Sequence, residues 1–237
     1  MPLSAEDALT YLPRKPLQEF AKGRVIYDSQ LPNTHLYVVI RGRVKIDIAS
    51  DDGCRTIGRI LSTEGMFGES CLVASGTRNE SAAALDSLTL MSWHSAEVER
   101  QIEREPRLGV ALAQYLVRQC MEMQDRIESM AVQKTPERVM SALLQLAADL
   151  GKRLPDGSVR MPSLTHHTLA EFVGTSREIV TFQLNRLRRQ GLIRYSRQYL
   201  DVYAEAVSLT LQTKGAHIPG AAAQMTKRVS RQAPLQS

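Results

Sequence analysis

The sequence predicts an α+β fold: an N-terminal antiparallel β-roll, jelly-roll-like, then a long α-helix, then a smaller helical unit closed by a hairpin. Three observations predict it. Short β-branched stretches separated by turn residues fill residues 24–93. Beyond Ser95 the apolar period changes from two to about 3.5. Two short helical stretches joined at Gly174, followed by two more strands, occupy residues 164–203.

In the N-terminal part, residues 24–28 are short and β-branched, and residues 35–40 run apolar into residues 41–48, where polar and apolar side chains alternate. Gly42 marks a turn or a bulge between them, and Asp51, Asp52 and Gly53 form a turn signal. Residues 56–61 and 88–93 continue the pattern, so several short strands close into a small barrel or roll.

From Ser95 to Met130 only Gly109 and Pro106 interrupt a helical pattern. Leu116, Cys120, Met123, Ile127 and Met130 step by 4, 3, 4 and 3, the a/d seam of a coiled coil. Arg118, Glu122, Asp125, Arg126 and Glu128 lie between them as a solvated face. The seam is expected to pair with a second copy in a homodimer, or to pack on its own β domain; both hold if different stretches of the helix do each.

Composition excludes several classes. Hydrophobic residues make up 43%, enough for real cores, and the net charge is +5. The charge is uneven: residues 135–237 carry 14 Lys/Arg against 7 Asp/Glu, while the remainder carries 16 against 18. A basic C-terminal half suits a polyanion. Cys54, Cys71 and Cys120 show no CxxC spacing, which argues against a disulfide framework and for a reducing cytoplasm. No signal peptide and no apolar run of membrane-spanning length is read. There is no Walker motif, nucleophile elbow, HExxH or paired carboxylate in a glycine frame, so an enzyme is not expected.

The most informative stretch is residues 164–180. Thr165 or its neighbour caps a short helix whose Leu169, Phe172 and Val173 face a core, and Gly174 follows where the backbone needs positive φ. Thr175 or Ser176 caps a second helix running to about Gln190 and ending at Gly191. Val180, Leu184 and Leu187 form its inner face. Arg177, Glu178 and Thr181 project from the other, and Arg186, Arg188 and Arg189 crowd its end. This is the layout of a helix whose first turns meet base edges in the major groove while basic groups hold phosphates. Arg177 can donate twice to guanine, and Glu178 can accept from cytosine. His166, His167 and Thr168 start the preceding helix, where backbone contacts fall. Residues 192–196 and 198–203 make two strands around Arg197, a wing, so the C-terminal unit reads as a winged helix-turn-helix. Thr135 and Pro136 start its first helix, with Thr135 as cap.

These residues resemble the Crp/Fnr superfamily of bacterial transcription regulators over roughly residues 10–206. Residues 36–44 resemble its strand-turn-strand, residues 65–72 its phosphate-binding cassette, and Thr175-Ser176-Arg177-Glu178 with residues 187–193 its recognition helix and wing entry. The resemblance implies a β-roll sensor at 1–104, a dimerisation helix at 105–134 and a winged helix-turn-helix at 135–206; residues 207–237, where Gly, Ala, Pro, Ser, Lys and Arg come to dominate and the periodicity stops, read by composition as a disordered basic tail. The resemblance also implies double-stranded DNA with a palindromic operator and RNA polymerase as partners. In members that bind cyclic AMP, the cassette glutamate bonds the ribose and a downstream arginine the cyclic phosphate. Glu69 and Arg78 match those roles if the intervening loop is one residue shorter, with Gly68 and Ser70 lending backbone N–H groups. Asn79 stands where a hydroxyl residue is usual, and Met123 and Gln124 stand where the helix of cyclic-AMP responders carries hydroxyls. The effector is thus a cyclic nucleotide, another metabolite, or none, with Glu69 and Arg78 paired in a collapsed pocket. Three scattered cysteines do not supply an iron–sulfur cluster. Haem would need a ligand such as Cys71 or His94, residues that suit a core better. Phe182 replaces an arginine frequent in the family and either contacts a thymine methyl or packs on the helical hairpin. The alternative function is a ligand-binding module acting on a protein partner.

Overall fold

The computed structural model describes residues 6–29, 34–49, 55–73, 80–216 and 218–220. It divides into two compact units between Gln119 and Cys120. The expected turn at Asp51, Asp52 and Gly53, the loop carrying Arg78 and Asn79, and residues 221–237 lie outside the described residues.

The first unit is an antiparallel roll of eight described strands: β1 (Gln18–Phe20), β2 (Val25–Tyr27), β3 (His35–Arg41), β4 (Val44–Ala49), β5 (Arg55–Leu61), β6 (Met66–Phe67), β7 (Glu80–Ala84) and β8 (Leu88–His94). They form two four-stranded sheets, β1-β8-β3-β6 and β2-β7-β4-β5. Strand β3 shows why its sequence runs apolar without a break. Tyr37 and Val39 point between the sheets onto Val44, Ile46, Phe67 and Leu90, whereas Leu36 and Val38 point to the opposite face. That second face is covered by α1 (Ser95–Arg104) and the start of α2 (Arg107–Val132), through Val98, Leu108, Ala111 and Leu112 around Trp93. The indole of Trp93 donates to the Pro13 carbonyl at 2.8 Å, so its polar atom is satisfied. Gly42, at φ 89°, turns β3 into β4, and a Cβ there would lie 2.2 Å from the Ser87 carbonyl oxygen.

Helix α2 begins against the roll but leaves the predicted seam uncovered. Leu116, Met123, Ile127 and Met130 are exposed, as is Cys120, and Met121 and Val117 widen the stripe. Among the described residues no helix is long and apolar enough to cross a membrane.

The second unit contains α3 (Thr135–Leu150), β9 (Lys152–Arg153), β10 (Val159–Pro162), α4 (His166–Val173), α5 (Arg177–Arg189), β11 (Ile193–Tyr195), β12 (Tyr199–Val202) and α6 (Ala204–Thr213). Its sheet runs β11-β12-β10-β9. Leu143, Leu144 and Leu146 of α3, Met161 of β10, Leu169 and Phe172 of α4, Val180 and Leu187 of α5, and Val207 and Leu211 of α6 are all buried. Two expectations shift. Thr135 is the first residue of α3 rather than its cap; Lys134 holds the cap position without a side-chain bond. The disordered tail expected from residue 207 is overturned as far as Thr213, because α6 buries Val207, Ser208 and Leu211 and packs on α3.

Candidate nucleic-acid interface and effector cassette

The helix-turn-helix is built by three local devices. The Thr165 hydroxyl accepts from the Thr168 amide at 3.0 Å and caps α4. Gly174 takes the left-handed conformation (φ 72°, ψ 51°) that ends it. The Ser176 hydroxyl accepts from the Ile179 amide at 3.3 Å and caps α5. The elbow is then pinned from two sides. The Arg126 guanidinium lies over the Phe172 ring, 4.6 Å from its centroid, and donates to the Phe172 carbonyl at 3.0 Å. Burial lowers the pKa of Arg126 from its ordinary value. Arg138 donates to the Gly174 carbonyl at 3.3 Å.

His166 joins the start of α4 to α5 and to the wing. Its Nδ1 lies 2.7 Å from the Thr181 hydroxyl, and its ring lies 5.6 Å from that of Tyr195. Thr181 donates its only proton to the Arg177 carbonyl at 2.8 Å, so His166 must be the donor to Thr181, protonated at Nδ1. Burial, then the nearby Arg177 charge, lowers the His166 pKa and keeps the ring neutral. Thus the Thr181 hydroxyl is spent on His166 Nδ1 and the Arg177 carbonyl. His167 lies 3.4 Å from Glu171 and is exposed, and Thr168 bonds back to Thr165 at 2.8 Å.

The outer face of α5 differs. Glu178, Phe182, Asn185 and Arg189 step by 4, 3 and 4 and are all exposed. Arg177 and Arg186 flank them. The side chains of Arg177, Arg186, Arg188, Arg189 and the wing-tip Arg197 make no hydrogen bond or ion pair among the described residues. The arginines of the neighbouring sheet are paired instead: Arg160 grips the buried Asp201 at 2.7 and 2.9 Å, and Arg194 meets Asp156 at 2.5 Å. The Glu178 carboxyl sits below its usual range, held by its own backbone amide and Ser176. Asn185 joins this exposed row without a sequence signal, because an amide side chain carries no charge to mark it in a basic stretch.

The cassette lies in the first unit. Gly68, in the left-handed region at φ 78°, leads into a 3-10 turn, Glu69–Leu72. Glu69 Oε1 accepts from Arg59 at 2.6 Å. Arg59 also donates to the Tyr115 hydroxyl at 3.2 Å and to Gln119 Oε1 at 2.7 Å, both on α2. Tyr115 in turn donates to the Met66 carbonyl. Burial opposes the charge of Arg59 most strongly, but Glu69, Tyr115 and Glu80 together outweigh it and hold the guanidinium above its ordinary pKa. Glu69 Oε2 is buried without a hydrogen-bond partner among the described residues. Ser70 donates to Glu80 at 3.2 Å, and Glu80 also accepts from Tyr27 at 2.9 Å. Arg59, Tyr115 and Gln119 escaped the sequence reading because nothing local links β5 to a helix more than fifty residues later. Of the expected effector residues, Gly68, Glu69 and Ser70 share this turn, Met123 and Gln124 are exposed on α2, and Arg78 and Asn79 lie outside the described residues. His94, weighed as a haem ligand, is exposed and caps α1, its Nδ1 accepting from the Ala96 amide at 3.2 Å; Cys71 sits half-buried in the cassette turn.

A family model for a cyclic nucleotide-binding domain matches residues 17–105, and one for a Crp-like helix-turn-helix domain matches residues 137–204. The chain is 30% identical over 194 residues to a CRP-like cAMP-activated global transcriptional regulator of Mycobacterium tuberculosis, covering 81% of this chain and 84% of that protein. It is 27% identical over 190 residues to a global nitrogen regulator of Synechocystis, covering 79% and 84%. A solved transcriptional regulator of the CRP/FNR family from Thermus thermophilus matches with a TM-score of 0.62 at 29% identity, covering 79% of this chain and 93% of that one. The chain belongs to the Crp/Fnr family of transcription regulators: it is a DNA-binding regulator with an effector-type β-roll, not an enzyme.

Proposed function

We propose that the protein works in the cytoplasm as a homodimer that reads a two-fold related operator with α5 and its wing, and that the cassette modulates this binding. The observation that carries the reading is the distribution of unpaired charge. Acidic partners neutralise Arg160 and Arg194, while Arg177, Arg186, Arg188, Arg189 and Arg197 are left to solvent around the outer face of α5. Unpaired guanidinium groups around a capped helix suit phosphates and base edges. Arg177, Glu178 and Phe182 are the base-reading residues; Ser176, Arg197 and the exposed edges of His167 and Thr168 meet the backbone. His166 and Thr181 position α5 from behind. RNA polymerase is the partner through which a bound dimer acts.

For the effector, the structure offers a fit test. A carboxylate oxygen buried without a donor among the described residues favours a ligand that brings a hydroxyl or an N–H to Glu69 Oε2. A cyclic nucleotide meets that demand through its ribose, with Arg78 as the phosphate partner.

Titration of a random-sequence duplex by fluorescence anisotropy tests the DNA assignment. Affinity should fall steeply with salt as counterions are released, and Arg177→Ala should weaken a selected operator by roughly 1–3 kcal/mol. Salt-independent binding, or none, would point to a protein partner. Calorimetry with cyclic AMP, with Arg78→Ala and Glu69→Gln as controls, tests the cassette: heat lost in both variants supports a cyclic nucleotide, and no heat turns the search to another hydroxyl-bearing metabolite.

A further inference from the structure

We infer that Phe182 is a specificity-determining residue that selects a thymine, through its 5-methyl group, at one position of each half-site. The inference rests on the reading of α5 as the helix that contacts DNA.

Phe182 is 65% exposed, so it does not pack on the helical hairpin. The inner face of α5 is already filled by Val180, Gln183, Leu184 and Leu187. Phe182 therefore stands in the outer row, four residues after Glu178 and three before Asn185. An exposed phenyl ring in water among arginines has no stabilising role in the free protein. A ring set among unpaired cations calls for a polyanion that also presents an apolar group, and a DNA groove does so only where thymine carries its methyl. The neighbours sharpen this. Glu178 can accept from a cytosine amino group, and Asn185 can bond adenine bidentately. The three lie within about 10 Å along the helix axis at the rise of an α-helix. That is a span of about three base-pair steps, so the apolar reading falls between two polar ones.

The test uses the full-length chain and a randomised duplex library, selected with and without cyclic AMP. In the recovered motif, each thymine is then replaced singly by deoxyuridine, which removes the methyl and leaves every hydrogen-bonding edge intact. Phe182→Ala is measured beside it; the residue is exposed, so the fold is unaffected. At one thymine per half-site, deoxyuridine should weaken binding about fourfold, the loss expected for one buried methyl. Phe182→Ala should weaken the thymine duplex by at least as much and be blind to the replacement at that position. A motif lost in Arg177→Ala but tolerating deoxyuridine everywhere would overturn the role of Phe182 and leave α5 as the reading helix. No motif in either selection would overturn both.

Discussion

Arg59 and Glu69 meet at 2.6 Å with 17% and 19% of their side chains exposed. Pairing at that depth matters less for what it adds than for what its loss leaves behind, an uncompensated charge out of water. Arg59→Met should therefore destabilise the first unit by about 2–3 kcal/mol, below the cost of breaking a fully buried pair. Adding Glu69→Gln should restore most of it. Urea unfolding followed by the fluorescence of Trp93, the only tryptophan, reads both. Parity between the single and double variants would show that the pair is not coupled. The cassette itself was legible, since Gly68, Glu69 and Ser70 sit together in sequence, but its partner was not: Arg59 lies ten residues away across a strand, and only the fold brings it in. His166 makes a second residue-scale case. Its folded pKa lies below the 6.5 of the free side chain, because of burial and then Arg177. The neutral ring is the folded form, so its contribution to stability is complete above pH 6.5 and is lost as pH falls through the lower folded value. Proton NMR titration should place the His166 midpoint below 6.5, and Arg177→Ala should move it upward.

At the scale of elements, two glycines with positive φ separate strain from collision. Gly174 at φ 72° has nothing within 4 Å of a would-be Cβ, so Gly174→Ala costs only the left-handed backbone, about 1–2 kcal/mol. Gly42 adds a contact of 2.2 Å with a backbone oxygen, so Gly42→Ala must also move the turn between β7 and β8. Thermal unfolding of the two variants should rank Gly42→Ala well below Gly174→Ala; equal losses would mean that the β3–β4 turn relaxes freely. The same comparison shows what sequence can carry. The helix-turn-helix was legible because caps, a left-handed glycine and an inner apolar face are all local. Strands β1, β6 and β7 were not. β6 has two residues, β1 has no apolar alternation, and β7 is Glu80, Ser81 and three alanines, a composition with little preference for strands. β7 is extended because β2 and β4 hydrogen-bond to it on both sides. Helix α6 was missed for a related reason: its burial on α3 decides it, and Val207 and Leu211 give too short a stripe to stand out.

For the whole molecule, the decisive surface is the seam of α2. Ile127 is 64% exposed and Met123 58%, in a row that includes Leu116, Cys120 and Met130. A stripe of that length at coiled-coil spacing stays in water only at a cost, and a twin helix removes it most directly. If dimerisation holds the two recognition helices about one DNA turn apart, near 34 Å, then each half-site is bound with the avidity of a tethered pair. Ile127→Glu should therefore do two things at once. It should convert the protein to monomers in analytical ultracentrifugation, because like charges would face each other across the seam. It should also weaken operator binding by roughly 100-fold or more while leaving binding to a single half-site unchanged. Chemical shifts or circular dichroism of the second unit would stay as in the parent, since Ile127 faces solvent. A dimer surviving Ile127→Glu would place the interface on another surface and make the apolar stripe a site for some other chain; a monomer that still bound the full operator as tightly would sever recognition from dimerisation altogether.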